Sequence, residues 1–159
     1  MYSILLQTQI SVLEGSTIGL YFGAHWSPPC HAFTSLLIEA YNDLSATNDH
    51  RFGVVLVSTD RDEDEFEVHL STMPWLAFSF EDRARQELCR IFKIKAIPAL
   101  VIIGEDGRTV TTGGKDMIAI YGPRAFPFTD ARISEIESEL KKNGEELPQQ
   151  VYDTKHQHA

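Results

Sequence analysis

Trp26-Ser27-Pro28-Pro29-Cys30 is the stretch whose residue types and spacing could do chemistry. A cysteine sulfur reacts as the thiolate, and a helix N-terminus lowers a thiol pKa from about 8.5 to roughly 3.5–7.5. A second cysteine three positions before Cys30 would complete a dithiol able to exchange with a disulfide. Ser27 stands there instead. A serine hydroxyl is not appreciably ionised at neutral pH, and the sequence shows no base beside it. The stretch also has a plain reading. Serine is a favoured N-cap and proline is favoured at the first helical position, so Ser-Pro-Pro before an amphipathic run is a sound helix start with no chemistry. On the tetrapeptide alone the plain reading is the stronger one.

The other reactive side chains are read conservatively. His25, Cys30 and His31 match no standard zinc spacing, and His25 is expected on a strand end while His31 lies on a helix; no metal is assigned there. Cys89 adjoins Leu88, Ile91 and Phe92 and reads as a partly buried structural cysteine. Cys30 and Cys89 belong to different elements and are not expected to pair. The acidic run Asp60 to Glu67 lacks the spacing and the central glycine of a calcium loop, and reads as a solvated helix start. Met73-Pro74-Trp75-Leu76 reads as a packed loop.

Composition narrows the classes. The chain has 159 residues, 43% of them apolar, which suits one domain with a sizeable core. Its formal net charge of −9 repels phosphate backbones, so no nucleic-acid partner is expected. Two cysteines are too few for the disulfide scaffold of a secreted domain. The start, MYSILLQTQI, lacks a basic n-region and a small-residue cleavage site, and no apolar run reaches membrane-span length. A soluble protein of the cytosol or nucleus is expected, with no membrane partner.

The positioning elements follow from periodicity. Ile18 to Gly23 and Phe52 to Ser58 are continuous apolar runs, expected as buried strands. Between them Phe33, Leu36, Leu37, Ala40, Tyr41 and Leu44 recur on one face of a helix that starts near Pro29 and ends around Thr47-Asn48. That is a βαβ unit with parallel strands. Helices are expected over Asp60 to Leu70 and Arg83 to Phe92. Ala99 to Ile103 is a third strand, with a turn at Gly104-Glu105-Asp106-Gly107 and a returning strand over Arg108 to Thr112. Thr129 caps the last helix, with Phe128 stapled to Ile133, and Gly144 ends it. The fold class is α/β, with a mixed central sheet flanked by helices. Residues 1–144 form the domain and 145–159 a polar tail.

In this context the motif gains weight. It sits where a strand hands over to a helix, and Ala96-Ile97-Pro98 stands directly before a strand, where proline marks a first residue or turn and an X-Pro bond can be cis. The segments GLYFGAHWSPPCHAF, VSTDRDEDEFE, MPWLAFSFED and KAIPALVIIGEDGRTVTTGG together resemble the thioredoxin fold of the nucleoredoxin and tryparedoxin branch. RQELCRIFKIKAIPALV and YGPRAFPFTDARISEIE extend the likeness to plant nucleoredoxins, over roughly Leu13 to Glu146.

That resemblance implies roles. The family pattern is Trp-Cys-Pro-Pro-Cys, so Ser27 occupies the position of the attacking cysteine, which the family mechanism needs exposed, and Cys30 that of the resolving one, expected to be more covered inside the first helical turn. Trp26, Pro28, Pro29, Ile97 and Pro98 would form the substrate groove, with Trp75 near the same face, and the likeness makes cis the expectation for the Ile97-Pro98 peptide. The implied activity is protein-disulfide reduction, impaired or absent here because of Ser27. No bound cofactor is implied; an external thiol or an NADPH-dependent reductant would recharge the site. The implied partners are disulfide-containing proteins and sister thioredoxin-like domains of a longer chain. His156 and His158 in the terminal KHQHA resemble the start of a Cys/His-rich zinc module. The rival reading is a non-catalytic module that holds partner proteins or sister domains. A third is a structural domain that positions the zinc module.

Overall fold

In a computed structural model of the chain, residues 15–47 and 51–145 are described. The tail, with His156 and His158, therefore lies outside the described residues beyond position 145. The elements run β1 (Thr17–Gly23), α1 (Pro28–Ser45), β2 (Phe52–Ser58), α2 (Glu63–Leu70), β3 (Leu76–Ala77), α3 (Ala84–Ile91), β4 (Ala99–Ile103), β5 (Thr109–Thr111), α4 (Gly114–Tyr121), a 3-10 turn at Gly122–Ala125, and α5 (Asp130–Lys142).

The five strands form one sheet in the order β3-β2-β1-β4-β5. β1 pairs parallel with β2, and β2 with β3; β4 runs antiparallel to both β1 and β5. The mixed sheet expected from the sequence is therefore present. β1 and β2 read as unbroken apolar runs because the sheet is covered on both faces. Side chains alternate across it. Tyr21, Val54, Leu56, Leu100 and Ile102 face one cluster, with Phe33 and Leu37 of α1, Met117 and Ile118 of α4, and Ile133 and Ile136 of α5. Leu20, Phe22, Val55, Val57 and Val101 face the other, with Phe78, Ala84, Leu88, Cys89 and Phe92. α4 packs close on β4: a Cβ added at Gly114 would lie 3.0 Å from the Leu100 carbonyl oxygen and from Ile102.

Several boundaries differ from the sequence reading, for local reasons. α1 starts at Pro28, one residue earlier, because Ser27 is its N-cap and both prolines fit the first turn. Of its apolar face Leu36 is exposed, and Thr34 is buried instead. α2 starts at Glu63 rather than Asp60. Its cap is Asp62, whose carboxylate accepts from the amides of Asp64 and Glu65, while Asp60 is buried elsewhere. α3 spans Ala84–Ile91, and β5 is trimmed to Thr109–Thr111. Thr129 caps α5 through the amide of Arg132, and Gly144 lies beyond its end at φ +75°. The sequence reading predicts neither helix α4 nor the two-residue β3.

Candidate functional site

The corner that links β1 to α1 lies at the C-terminal edge of the parallel strands, the usual place for ligand chemistry in such sheets. β1 ends at Gly23, residues 24–27 turn, and α1 begins. The turn closes with the Ser27 amide donating to the Ala24 carbonyl at 3.4 Å. The Ser27 hydroxyl accepts from the Cys30 amide at 3.4 Å, and the Ser27 carbonyl accepts from the same amide at 3.0 Å. Serine thus satisfies one of the orphan donors of the first turn.

Exposure around this corner is uneven. Trp26 is 65% exposed, and Pro28 and Pro29 are exposed beside it. Cys30 is fully buried, one residue past the two prolines. Position 27 departs from the expectation of an exposed attacking position: Ser27 is only 3% exposed, because its hydroxyl turns under to cap the helix. Ile97-Pro98 is a cis peptide, as expected, and both residues are half-buried. The register sets Ala99 opposite Phe22, so this peptide leaves the sheet at the same edge as the corner.

Beneath Cys30 the packing is polar and closed. The buried Tyr21 hydroxyl donates to the Cys30 carbonyl at 3.0 Å and meets the Thr34 hydroxyl at 2.7 Å. Thr34 also donates to the Cys30 carbonyl, at 2.8 Å. Burial pushes the Tyr21 phenol above its ordinary range, so it serves as a neutral donor. Trp75 is buried and packs edge-on against Tyr21 and Tyr41, so it supports the corner from within the core.

On the other side of the corner lies a group that the sequence did not bring together. The rings of His25, His31 and His69 lie with centroids 5.0, 5.6 and 5.9 Å apart. His69 is fully buried, and its Nδ1 lies 4.0 Å from the Asp60 carboxylate. Burial pushes the His69 imidazole down to about 4; Asp60 pulls it up, and His31 and His25 push it further down. His25 Nε2 faces Glu65 at 3.5 Å. Asp60, 2% exposed, accepts from the His25 amide on both carboxylate oxygens and from the Ser58 hydroxyl. A cleft of about 580 Å³ opens beside Trp26, lined by Arg61, Asp62 and Glu65. Among the described residues no group of three or more His, Cys, Asp or Glu is arranged to hold a metal ion.

Cys89 sits apart from this corner, on α3. It is half-buried, and burial raises its thiol while Arg85 pulls it down. Neither cysteine forms a disulfide. No helix among the described residues is long and apolar enough to cross a membrane.

The chain is similar in sequence and in fold to known proteins. The chain is 56% identical to "Probable nucleoredoxin 3" of Arabidopsis thaliana, over 94% of this chain and 38% of that protein. It is 38% identical to the nucleoredoxin of Bos taurus, over 79% of this chain and 29% of that one. The chain thus spans about a third of the length of these curated relatives. Among solved structures, native tryparedoxin I from Crithidia fasciculata superposes with a TM-score of 0.70 at 35% identity, covering 76% of this chain and 85% of that one. Residues 15–109, which hold β1 to β4, the Ser-Pro-Pro-Cys corner and the cis proline, match the family described as Thioredoxin-like, and the chain belongs to that family.

Proposed function

We propose that this chain is a thiol–disulfide oxidoreductase domain of the nucleoredoxin type, with position 27 as the place of the attacking sulfur and Cys30 as the resolving one. The observation that carries the reading is the corner itself. Ser27 caps α1 at the C-terminal edge of β1, Cys30 is buried in the first turn of the helix, and Trp26 just before the cap is exposed. Trp26, Pro28, Pro29, Ile97 and Pro98 form the groove that receives a substrate protein.

With cysteine at position 27, the chemistry balances in two exchanges. The thiolate at that position attacks one sulfur of a substrate disulfide; that bond breaks, a mixed disulfide forms, and the other substrate sulfur leaves as a thiolate and takes a proton. The Cys30 sulfur, deprotonated, then attacks the sulfur at position 27, closes an intramolecular disulfide, and releases the second substrate thiol. Two electrons pass to the substrate. An external thiol or an NADPH-dependent reductant returns them. A thiol is a weaker acceptor than a hydroxyl, so a cysteine at this position is held less firmly on the Cys30 amide than Ser27 and is freer to swing outward. Ser27 supplies no such nucleophile, and Cys30 has no access, so the chain as written turns over poorly. The natural substrates are disulfide-bearing proteins, and the working protein is a longer chain with sister thioredoxin-like domains. Residues 1–144 are the folded unit of this reading.

The test is a side-by-side insulin turbidity assay with dithiothreitol. The chain as written should stay at the uncatalysed rate. Ser27→Cys should exceed it and, on oxidation, lose two protons by mass. Strong turnover by the Ser27 form would make Cys30 the nucleophile and overturn the role assignment. The second reading, a non-catalytic module for protein partners or sister domains, is favoured by the buried, cap-engaged Ser27 hydroxyl. An inactive Ser27→Cys variant would select it.

A further inference from the structure

The peptide backbone just before the redox corner is gripped from two sides by side chains to which the sequence assigned no role. The amide of His25 donates to both carboxylate oxygens of Asp60, at 3.0 and 3.1 Å. The carbonyl of the same residue meets the Nε2 of His31, which lies in the first turn of α1. Asp60 is itself fixed. The Ser58 hydroxyl donates to its Oδ2 at 3.0 Å, and its own amide donates back to that hydroxyl at 3.0 Å. The Arg85 guanidinium, stacked over Phe80, donates to the carbonyls of Ser58 and Asp60 at 2.6 and 3.2 Å. The edge of β2 is also tied to β1, since the Thr59 amide donates to the Gly23 carbonyl at 2.9 Å.

We propose that Asp60 and His31 form a clamp on the His25 backbone that positions Trp26 and the residue at 27 for disulfide exchange. This rests on the redox reading of the corner. The clamp is built from a rigid side and an adaptable one. Asp60 is 2% exposed, so removing it from water is tolerable only with its donors in place. His31 is exposed, so its ring is held by little except the His25 carbonyl and the neighbouring imidazoles of His25 and His69. A buried carboxylate holding one amide from the adjacent strand end sets where the turn leaves the sheet. The ring on α1 then ties that turn to the helix whose N-terminus acts on the sulfur. A displacement of about 1 Å in such a site can cost on the order of a hundredfold in rate. Asp60 and His31 touch no substrate atom in this scheme; they are positioning residues.

Two arms test the clamp. In the chain as written, amide hydrogen exchange is followed by NMR for His25 and for Leu20 to Phe22 of β1. Asp60→Asn turns one of the two accepting oxygens into an NH2 donor and removes the charge from the other, and should speed His25 exchange at least tenfold while the β1 amides keep their protection. In the Ser27→Cys background, Asp60→Asn and His31→Ala should each lower insulin turnover about tenfold, through kcat rather than KM. Each should also displace the pH profile for alkylation of the thiol introduced at position 27. A core control with the same loss of Tm, Ile136→Val, should leave that profile in place. His31 is exposed, so His31→Ala keeps the question open even if Asp60→Asn fails to fold. Unchanged His25 exchange in Asp60→Asn, or an activity loss no larger than in the core control, would overturn the proposal. If Ser27→Cys proves inactive, the redox reading fails, and the exchange arm still decides whether Asp60 holds the turn.

Discussion

Replacing His69 with leucine should flatten the acid side of the stability profile by a predictable amount. His69 is fully buried, and its imidazole is pushed down to about 4 from an ordinary 6.5. Loss of hydration is the largest cause and outweighs the attraction of Asp60 at 4.0 Å; the neighbouring His31 and His25 add to the depression. The other groups around it are the Tyr21 ring at 6.4 Å and, through His25, Glu65. A depressed folded-state value means that the unfolded chain takes up the proton first. Stability from a neutral His69 is therefore fully present above about pH 6.5 and is lost as the pH falls towards 4. The full loss is about 3 kcal/mol, and about 2 kcal/mol of it falls between pH 7 and 5. The assay is urea unfolding of the chain as written and of His69→Leu across that range. The parent should lose about 1 M more in urea midpoint than the variant on going from pH 7 to 5. Carboxylates titrate in both proteins, so the difference between them isolates the histidine. Equal pH slopes in the two proteins, or an NMR titration of His69 with a midpoint near 6.5, would refute the reasoning that burial dominates this site.

Other outcomes follow from the same geometry. Gly114→Ala should destabilise the domain by about 1–3 kcal/mol in chemical unfolding, because the new Cβ meets the Leu100 carbonyl oxygen and Ile102 at 3.0 Å; an unchanged urea midpoint would mean that α4 shifts freely on β4. In native protein, Cys89 should react with iodoacetamide more slowly than a peptide cysteine, since burial raises its thiol, and fully covered Cys30 should react more slowly still. Both should become fast in urea, as peptide mapping of the alkylated chain would show. Ser27→Ala should cost about 0.5–1 kcal/mol, the lower part of the capping range, because the hydroxyl lies 3.4 Å from the Cys30 amide; Thr129→Ala, which breaks a 3.1 Å cap, should cost more in the same unfolding experiment.

Local physics made much of this fold legible before any tertiary contact was known. Ile18 to Gly23, Phe52 to Ser58 and Ala99 to Ile103 announce themselves as strands because a sheet covered on both faces needs apolar side chains at every position. Ser27 and Thr129 announce helix starts because their hydroxyls satisfy amides only a few residues away. The proline before β4 lacks a ladder donor, and so it had to stand at a strand end. Interactions that close within a few residues can be read from order alone. What tertiary structure decided is what lies far apart along the chain. The two-residue β3 exists only because β2 offers it an edge, and α4 holds its glycine start because β4 lies against it. His25 and His31 looked like members of separate elements, yet their rings meet at 5.0 Å over His69. Asp60 looked like part of a solvated acidic helix start. The parallel register that sets Gly23 opposite Ser58 carries Asp60 to His25, two residues beyond on each strand, and buries it there. Ser27 was expected to stand open to partners and is covered instead, because the turn of residues 24–27 aims its hydroxyl under the helix. Residue order determined which side chains could do chemistry; the pairing of β1 with β2 determined which of them meet, because a pairing register joins residues without regard to the length of chain between them.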